Sequence, residues 1–192
     1  MRRLSLSGAG ALAAALLGCM PLAQAADYTV DPAHSFVQWR IQHLGYSWLY
    51  GRFNTLSGEF SHDPDKPEAS RVTVQVDTAS VDSNHAERDK HLRNDDFLDV
   101  GKFPDAVFKS TGYSGSAEEG TMTGELTLMG VSKPVSIKVR KLGEGKDPWG
   151  GHRAGFIGTL LLDRRDFGID YELGPKSWTL EMELGIEGVR KK

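Results

Sequence analysis

Residues 178–186 alternate without a break between apolar and polar or small side chains: Trp178-Thr179-Leu180-Glu181-Met182-Glu183-Leu184-Gly185-Ile186. A β-strand places successive side chains on opposite faces, whereas a helix would scatter both kinds around its circumference. We therefore predict an amphipathic β-strand here, with one apolar face and one acidic face.

Similar alternation recurs along most of the chain and predicts seven further strands. They lie within residues 28–43, 50–61, 71–77, 106–110, 122–128, 135–140 and 154–162. The spacing from Phe53 to Leu56 breaks the alternation and indicates a bulge in the second segment. Eight amphipathic strands joined by short Gly- and Pro-containing turns predict an all-β fold, an eight-stranded antiparallel barrel of the lipocalin-like kind.

One segment between the third and fourth strands differs, because residues 84–93 are rich in charged residues and helix formers. Asn84 is suited to cap a helix, and Glu87 three residues later completes a capping box. The apolar residues that follow, among them Leu92, Phe97 and Leu98, could bury against one end of the barrel. We expect a short helix and turn across that opening.

The first 25 residues have the features of a secretory signal peptide. Arg2 and Arg3 precede an apolar run over residues 9–17, and Ala23-Gln24-Ala25 is a cleavage site of the small-x-small type. The run is too short to span a bilayer. We expect cleavage after Ala25, export to the periplasm, and a mature chain of residues 26–192 that forms a single domain.

Cys19 is the one cysteine of the chain. It follows Leu16-Leu17-Gly18, which loosely resembles a lipoprotein signal, so acylation at Cys19 is an alternative processing route. Cleavage after Ala25 removes Cys19. The mature protein would then have no disulfide, no thiol nucleophile and no thiolate metal ligand.

The chain carries 23 basic and 26 acidic residues, a formal charge of −3. Loss of Arg2 and Arg3 with the leader leaves 21 basic residues and a formal charge of −5. An acidic surface of mixed charges argues against nucleic acid as a partner and suits a soluble periplasmic protein.

A small outer-membrane barrel shows the same alternation of side chains. Here the face opposite the apolar one carries charges of both signs at mid-strand, including Lys138, Arg140, Glu181 and Glu183, and there are no paired aromatic girdles. Charges facing lipid, or crowded into a narrow lumen, are costly. The pattern favours a soluble barrel with its apolar face inward and no stable membrane insertion.

The predicted helix holds the residues most suggestive of a metal site. His85 and Asp89 are one helical turn apart, as are Glu87 and His91. This leaves open a metal-dependent enzyme, although the His-Glu-x-x-His pattern is absent, as are Gly-x-Ser-x-Gly and P-loop patterns. The residues give no positive case for catalysis and point to no cofactor.

The barrel interior could be a packed core or a container for one small ligand. Small residues at inward positions (Ala106, Ser110, Gly124, Ala154 and Gly158) leave volume for a ligand, while a core filled by its own side chains stays an alternative. His43 could donate a hydrogen bond to a ligand head group. The candidate lining residues are Trp39, Ile41, His43, Phe53, Phe108, Leu126, Phe156, Leu160, Trp178 and Met182.

Several stretches in order resemble the YceI-like family of bacterial secreted proteins, which are lipocalin-like and polyisoprenoid-binding. They run from Asp77 to Leu92 with Asp96-Phe97-Leu98, from Asp31 to Phe36, from Arg40 to Gly51, Lys102-Phe103-Pro104 with Phe108-Lys109-Ser110-Thr111, from Gly124 to Val131, and from Asp147 to Gly151. The resemblance covers essentially all of the mature chain.

This resemblance implies an eight-stranded antiparallel barrel with a helix between strands three and four. It implies a periplasmic protein whose apolar pocket holds an isoprenoid lipid, with a polyprenyl chain or a quinone tail as ligand. It supplies no catalytic residue. The oligomeric state stays open, with a homodimer among the alternatives.

Overall fold

The computed structural model describes residues 25–192; the predicted leader, including Cys19, lies outside the described residues, apart from Ala25. Eleven β-strands form one sheet in this part of the chain. They are β1 (Ala26–Val30), β2 (Phe36–His43), β3 (Ser47–Phe53), β4 (Leu56–His62), β5 (Arg71–Asp77), β6 (Val81–Asp82), β7 (Asp105–Gly115), β8 (Glu119–Leu128), β9 (Val131–Lys146), β10 (His152–Asp163) and β11 (Thr179–Arg190).

The sheet closes on itself as the sequence predicts. The ring runs β1-β4-β5-β7-β8-β9-β10-β11, and β11 pairs back to β1, with every pairing antiparallel. β1 and β2 pair with the same edge of β11, β2 with residues 181–185 and β1 with residues 188–190. β3 pairs with the other edge of β2. Thus β1 with β2, and β3 with β4, each form one interrupted side of an eight-stranded barrel.

The prediction of one continuous strand over residues 28–43 was wrong in detail, because a turn interrupts it. The Asp31 carboxylate accepts a hydrogen bond from the backbone N–H of Ala33 at 3.0 Å, and Pro32 has no N–H to pair. Ser35 replaces the missing strand pairing: its hydroxyl accepts from the N–H of Glu187 at 3.0 Å. The second predicted segment is likewise broken, at residues 54–55, where the bulge was expected.

The helix α1 spans Ala86–Leu92, after β6 and before β7. Its N-cap is His85, whose Nδ1 accepts from the backbone N–H of Arg88 at 3.3 Å, so the predicted capping box of Asn84 and Glu87 was wrong. Asn84 instead adopts a φ of +61°, a left-handed conformation that asparagine tolerates. It belongs to the turn before the helix.

Apolar side chains form most of the inside of the barrel, and most charged ones lie outside. Outside, Arg40 of β2 donates through Nε to Glu181 of β11 at 2.8 Å, and Gln38 donates to Glu183 at 2.9 Å. α1 and the turns after it cover one end, where Phe97 and Leu98 are buried against Trp39, Ile41 and Val81. No helix among the described residues is long and apolar enough to cross a bilayer.

Two bulges change which side chains face inward. In β9, Lys141 pairs with Phe156 and Gly143 pairs with Gly155, so Leu142 is an extra residue and is 61% exposed. A bulge in β7 has the same effect between Ser110 and Gly112. After each bulge, the inward positions shift by one residue.

We predict that Asp89→Ala lowers the free energy of unfolding by about 2 kcal/mol. The buried carboxylate accepts from the backbone N–H of Ser83 at 2.8 Å and from its hydroxyl, and removal leaves both donors unpaired. Urea unfolding measures the change. Asp95→Ala, at an exposed position on the same segment, is the control, and an equal loss in both variants would contradict the structural role of Asp89.

Candidate functional site

The barrel encloses a cavity of about 720 Å³ that runs from α1 toward the opposite end. This volume is within the range of pockets that bind small molecules. Most of its wall is aliphatic or aromatic, contributed by inward positions of β2, β5, β7, β8, β9, β10 and β11. The interior is therefore a container, and its own side chains do not fill it.

All but one of the lining residues proposed from the sequence contact this cavity. They are Trp39, Ile41, His43, Phe53, Phe108, Leu126, Phe156, Leu160 and Met182. His43, at the end of β2, is exposed and lies at the rim. The strand phase inferred from alternation is correct at these positions.

Trp178 is the exception, and its predicted inward position was wrong. β11 begins at Thr179, so Trp178 lies just before the strand and outside the cavity wall. Its ring packs against two guanidinium groups, with Cζ of Arg164 at 4.4 Å and Cζ of Arg165 at 4.8 Å from the ring centroid. The alternation continues through this residue, but the strand does not.

The small inward residues contribute to the cavity unequally. Ala106 and Gly158 line it. Gly124 creates no empty space, because the Phe108 ring packs directly over it and would clash with any Cβ there. The Trp39 ring lies over Gly51 in the same way, so these two glycines allow aromatic rings to lie flat against the wall.

The end of the cavity near α1 is shaped by a buried arginine that the sequence did not single out. Arg164 is 3% exposed, and it donates to the carbonyl oxygens of Ser177 at 2.8 Å, Ile169 at 2.8 Å and Tyr171 at 2.6 Å. Burial lowers the pKa of this guanidinium from its ordinary value. Arg164 thereby fixes the loop between β10 and β11, which supplies Ile169 and Leu173 to the wall.

The opposite end contains a polar cluster around Glu144, which sequence reasoning also missed. The carboxylate accepts from the Tyr28 hydroxyl at 2.9 Å and lies 2.8 Å from Nζ of Lys141 and 3.3 Å from Nε2 of His152. Burial alone would raise the pKa of Glu144, but these hydrogen bonds, with Lys141 the strongest, hold it at about 2. Burial and the adjacent carboxylate raise the pKa of Tyr28 above its usual range.

His62 lies beside this cluster and lines the cavity. It is 5% exposed, and its ring packs edge-on against Phe156 with centroids 5.2 Å apart. Its Nε2 is the one buried side-chain nitrogen or oxygen in the described residues without a hydrogen-bond partner, and it lies 3.8 Å from Oε2 of Glu144. Burial, and next the positive charge of Lys141, lower the pKa of His62, which favours the neutral imidazole.

Three of the four residues proposed for a metal site at α1 are engaged by other groups. His85 caps the helix, Asp89 accepts from Ser83, and Nε2 of His91 lies 3.0 Å from the Asp96 carboxylate. Glu87 lies at the cavity rim. These contacts do not bring the four side chains around a common point.

Among residues 25–192, one cluster of metal-ligand side chains does come together, formed by Asp31, His34 and Glu187. Arg153 already occupies it, because its guanidinium donates to Asp31 at 2.7 Å and to Glu187 at 2.5 Å. Hydrogen bonds from Arg153, and next from His34, lower the pKa of Asp31 to about 2. The cluster ties β10 to the turn between β1 and β2.

A model of the YceI-like domain matches residues 28–189. The chain belongs to this family. A UPF0312 protein of Pseudomonas paraeruginosa is 54% identical over 171 residues, which cover 88% of this chain and 90% of the relative. The family membership inferred from the sequence is thereby confirmed.

Solved structures of the same fold agree with the barrel. The crystal structure of a Campylobacter jejuni YceI protein is 31% identical and superimposes with a TM-score of 0.71, covering 79% of this chain and 91% of that one. A polyisoprenoid-binding domain from Saccharophagus degradans, implicated in plant cell wall breakdown, has a TM-score of 0.64 at 17% identity, covering 85% and 98%. At this low identity, the second likeness shows the fold alone.

We predict that His62 destabilises the fold as the pH falls. The pKa of His62 in the folded state lies below the ordinary 6.5, so His62 takes up a proton in the unfolded chain at a higher pH than in the folded one. The free energy of unfolding therefore decreases as the pH falls through 6.5 toward the folded-state pKa. Relative to His62→Gln, the wild type should lose free energy of unfolding between about pH 8 and about pH 5. Denaturant titrations at both pH values measure this difference.

His43→Gln is the matched control, because His43 is exposed at the rim. It measures the effect of the same substitution at an exposed position. A stability difference between the wild type and His62→Gln that does not change between the two pH values would show that His62 is not held neutral by the fold.

Proposed function

We propose that this protein is a periplasmic binding protein that holds an isoprenoid lipid, with a polyprenyl or quinone-type tail, in the barrel cavity and performs no catalysis on it. The observation that carries the proposal is the continuous apolar cavity between the strands. Membership of the YceI-like family and the polyisoprenoid-binding description of a structural neighbour support a ligand of this type.

The physical basis is the hydrophobic effect on a long, flexible chain. Each buried methylene group contributes about 0.8 kcal/mol, so about ten such groups supply about 8 kcal/mol, the free energy of a micromolar dissociation constant. Loss of ligand freedom on binding reduces this value, and the additional groups of a longer tail offset the loss. A narrow apolar barrel with aromatic walls suits a linear branched hydrocarbon better than a compact polar metabolite.

Two other functions have less support. A filled-core interaction barrel is inconsistent with the cavity. A metal-dependent enzyme would need the side chains of α1 to converge, and their hydrogen bonds direct them to separate partners. The geometry thus favours binding over both.

The location in the periplasm is part of the proposal and rests on the predicted leader, residues 1–25. Cell fractionation with N-terminal sequencing of the mature protein tests it. We expect Ala26 as the first residue. An N-terminus at Cys19 would instead show lipoprotein processing.

The decisive experiment is organic extraction of the protein purified from cell envelopes, followed by mass spectrometry. We expect an isoprenoid lipid in near-stoichiometric amount. If none is recovered, and if purified protein fails to take up isoprenoid lipids from detergent solution, the proposed function is wrong.

We predict that Val135→Trp lowers the recovered lipid several-fold, because Val135 lies in the cavity wall and a large ring there occupies ligand volume. Ser136→Trp, on the outer face of the same strand, should retain the wild-type amount. The ratio of lipid to protein measured by mass spectrometry compares them. Equal lipid content in the two variants would place the ligand outside the barrel.

A further inference from the structure

The bulge in β9 brings the charged pair of Lys141 and Glu144 together at one end of the cavity. Inward positions of this strand carry Val135, Ile137 and Val139, and the next is Lys141. The extra residue Leu142 then shifts the phase, so that Glu144 pairs with Ala154 and its carboxylate lies 2.8 Å from Nζ of Lys141, although Glu144 does not itself line the cavity. Burial of the Lys141 charge in such a wall is costly, even when a carboxylate pairs with it.

Glu144 uses its hydrogen-bonding capacity within the protein, whereas Lys141 uses only part of its own. Glu144 receives donors from Tyr28, Lys141 and His152. The ammonium of Lys141 has three donors, and Glu144 is the one partner found for it within residues 25–192. The Lys141 side chain is 12% exposed and lines the cavity, so its remaining donors are available to a ligand there.

His62 provides a second unused polar group at the same end. Its ring lines the cavity, and its buried Nε2 has no hydrogen-bond partner. A buried polar atom in this state is unfavourable unless another molecule supplies the partner. A ligand oxygen at this end of the cavity can supply it.

At the end near α1, the two arginines that line the cavity have their donors directed to protein atoms. The donors of Arg164 are directed to three backbone carbonyl oxygens. Arg88 donates to the hydroxyl of Ser83 at 2.7 Å and to its carbonyl oxygen at 2.6 Å. These guanidinium groups hold loops in place, whereas the one buried polar side-chain atom without a partner in the described residues, Nε2 of His62, lies at the Lys141 end. The polar head of a ligand therefore fits better there.

We infer that Lys141 and His62, with Glu144 behind Lys141, form a head-group site for a neutral group that accepts hydrogen bonds, such as a ring carbonyl, while the tail extends toward α1. This inference rests on the proposed function, since it requires a lipid in the cavity. Glu144 sets the specificity: it balances the charge of Lys141, and its carboxylate repels a phosphate or diphosphate head. The chain would thus select quinone-like lipids over polyprenyl phosphates.

Three probes with the same isoprenoid tail test this inference: one with a benzoquinone head, one with a monophosphate head, and the hydrocarbon alone. Isothermal titration calorimetry on the full mature protein gives each affinity. The wild type should bind the quinone at least about tenfold more tightly than the phosphate. Lys141→Met should weaken the affinity for the quinone about tenfold and leave the affinity for the hydrocarbon unchanged.

Lys138→Met is the matched control, because Lys138 is an exposed lysine on the outer face of the same strand and donates to Thr121. It should bind all three probes as the wild type does. Lys141→Met alone leaves Glu144 without its cation, so the double variant Lys141→Met with Glu144→Gln keeps the local charge balanced. It should fold as the wild type, shown by its circular dichroism, and bind the quinone as weakly as Lys141→Met.

Glu144→Gln alone should narrow the preference for the quinone over the phosphate, because it removes the repelling charge. If the wild type binds the phosphate as tightly as the quinone, or if Lys141→Met and Lys138→Met bind the quinone equally, the head-group site is overturned while the hydrocarbon still binds. If the hydrocarbon does not bind to the wild type, the proposed function fails together with this inference.

Discussion

Closure of the barrel depends on the pairing of one strand, β11, with three others. Along one edge it pairs with β10 from Asp163 to Arg153, and along the other it pairs with β2 and then with β1. Between β1 and β2, the backbone of Glu187 in β11 forms hydrogen bonds with the N–H of Asp31 and the hydroxyl of Ser35, and these bonds replace the strand pairing. Without these contacts, both edges of the sheet would be open, and no enclosed apolar volume would exist.

The alternation of residues was sufficient to predict this architecture, because the period of a strand is a local property of the chain. It placed the apolar residues of β2, β7, β10 and β11 on the inside, with Trp178 as the exception. Strand boundaries were less predictable: the turn at Asp31 and the left-handed residue Asn84 depend on hydrogen bonds to particular neighbours. The family resemblance, rather than the alternation, favoured a container over a filled core.

The polar parts of the cavity were not predicted, and the reason is physical. Lys141 and Glu144 are three residues apart, so a regular strand would place them on opposite faces. The bulge at Leu142 is visible only as a change of register against β10. Arg164 is equally hidden, since nothing in its local sequence shows that its donors will be used by three carbonyls of the following loop.

The register of β11 also determines the order in which the molecule can assemble. Strands β7 to β10 are neighbours in sequence and can pair through short loops, whereas β11 must find β1 and β2 across almost the entire described chain. Contacts of such long sequence separation form slowly, because a large loop is closed before any stabilisation is gained. The enclosed volume therefore depends on the pairings of longest sequence separation, and it exists only in a chain whose β11 has paired with both β1 and β2.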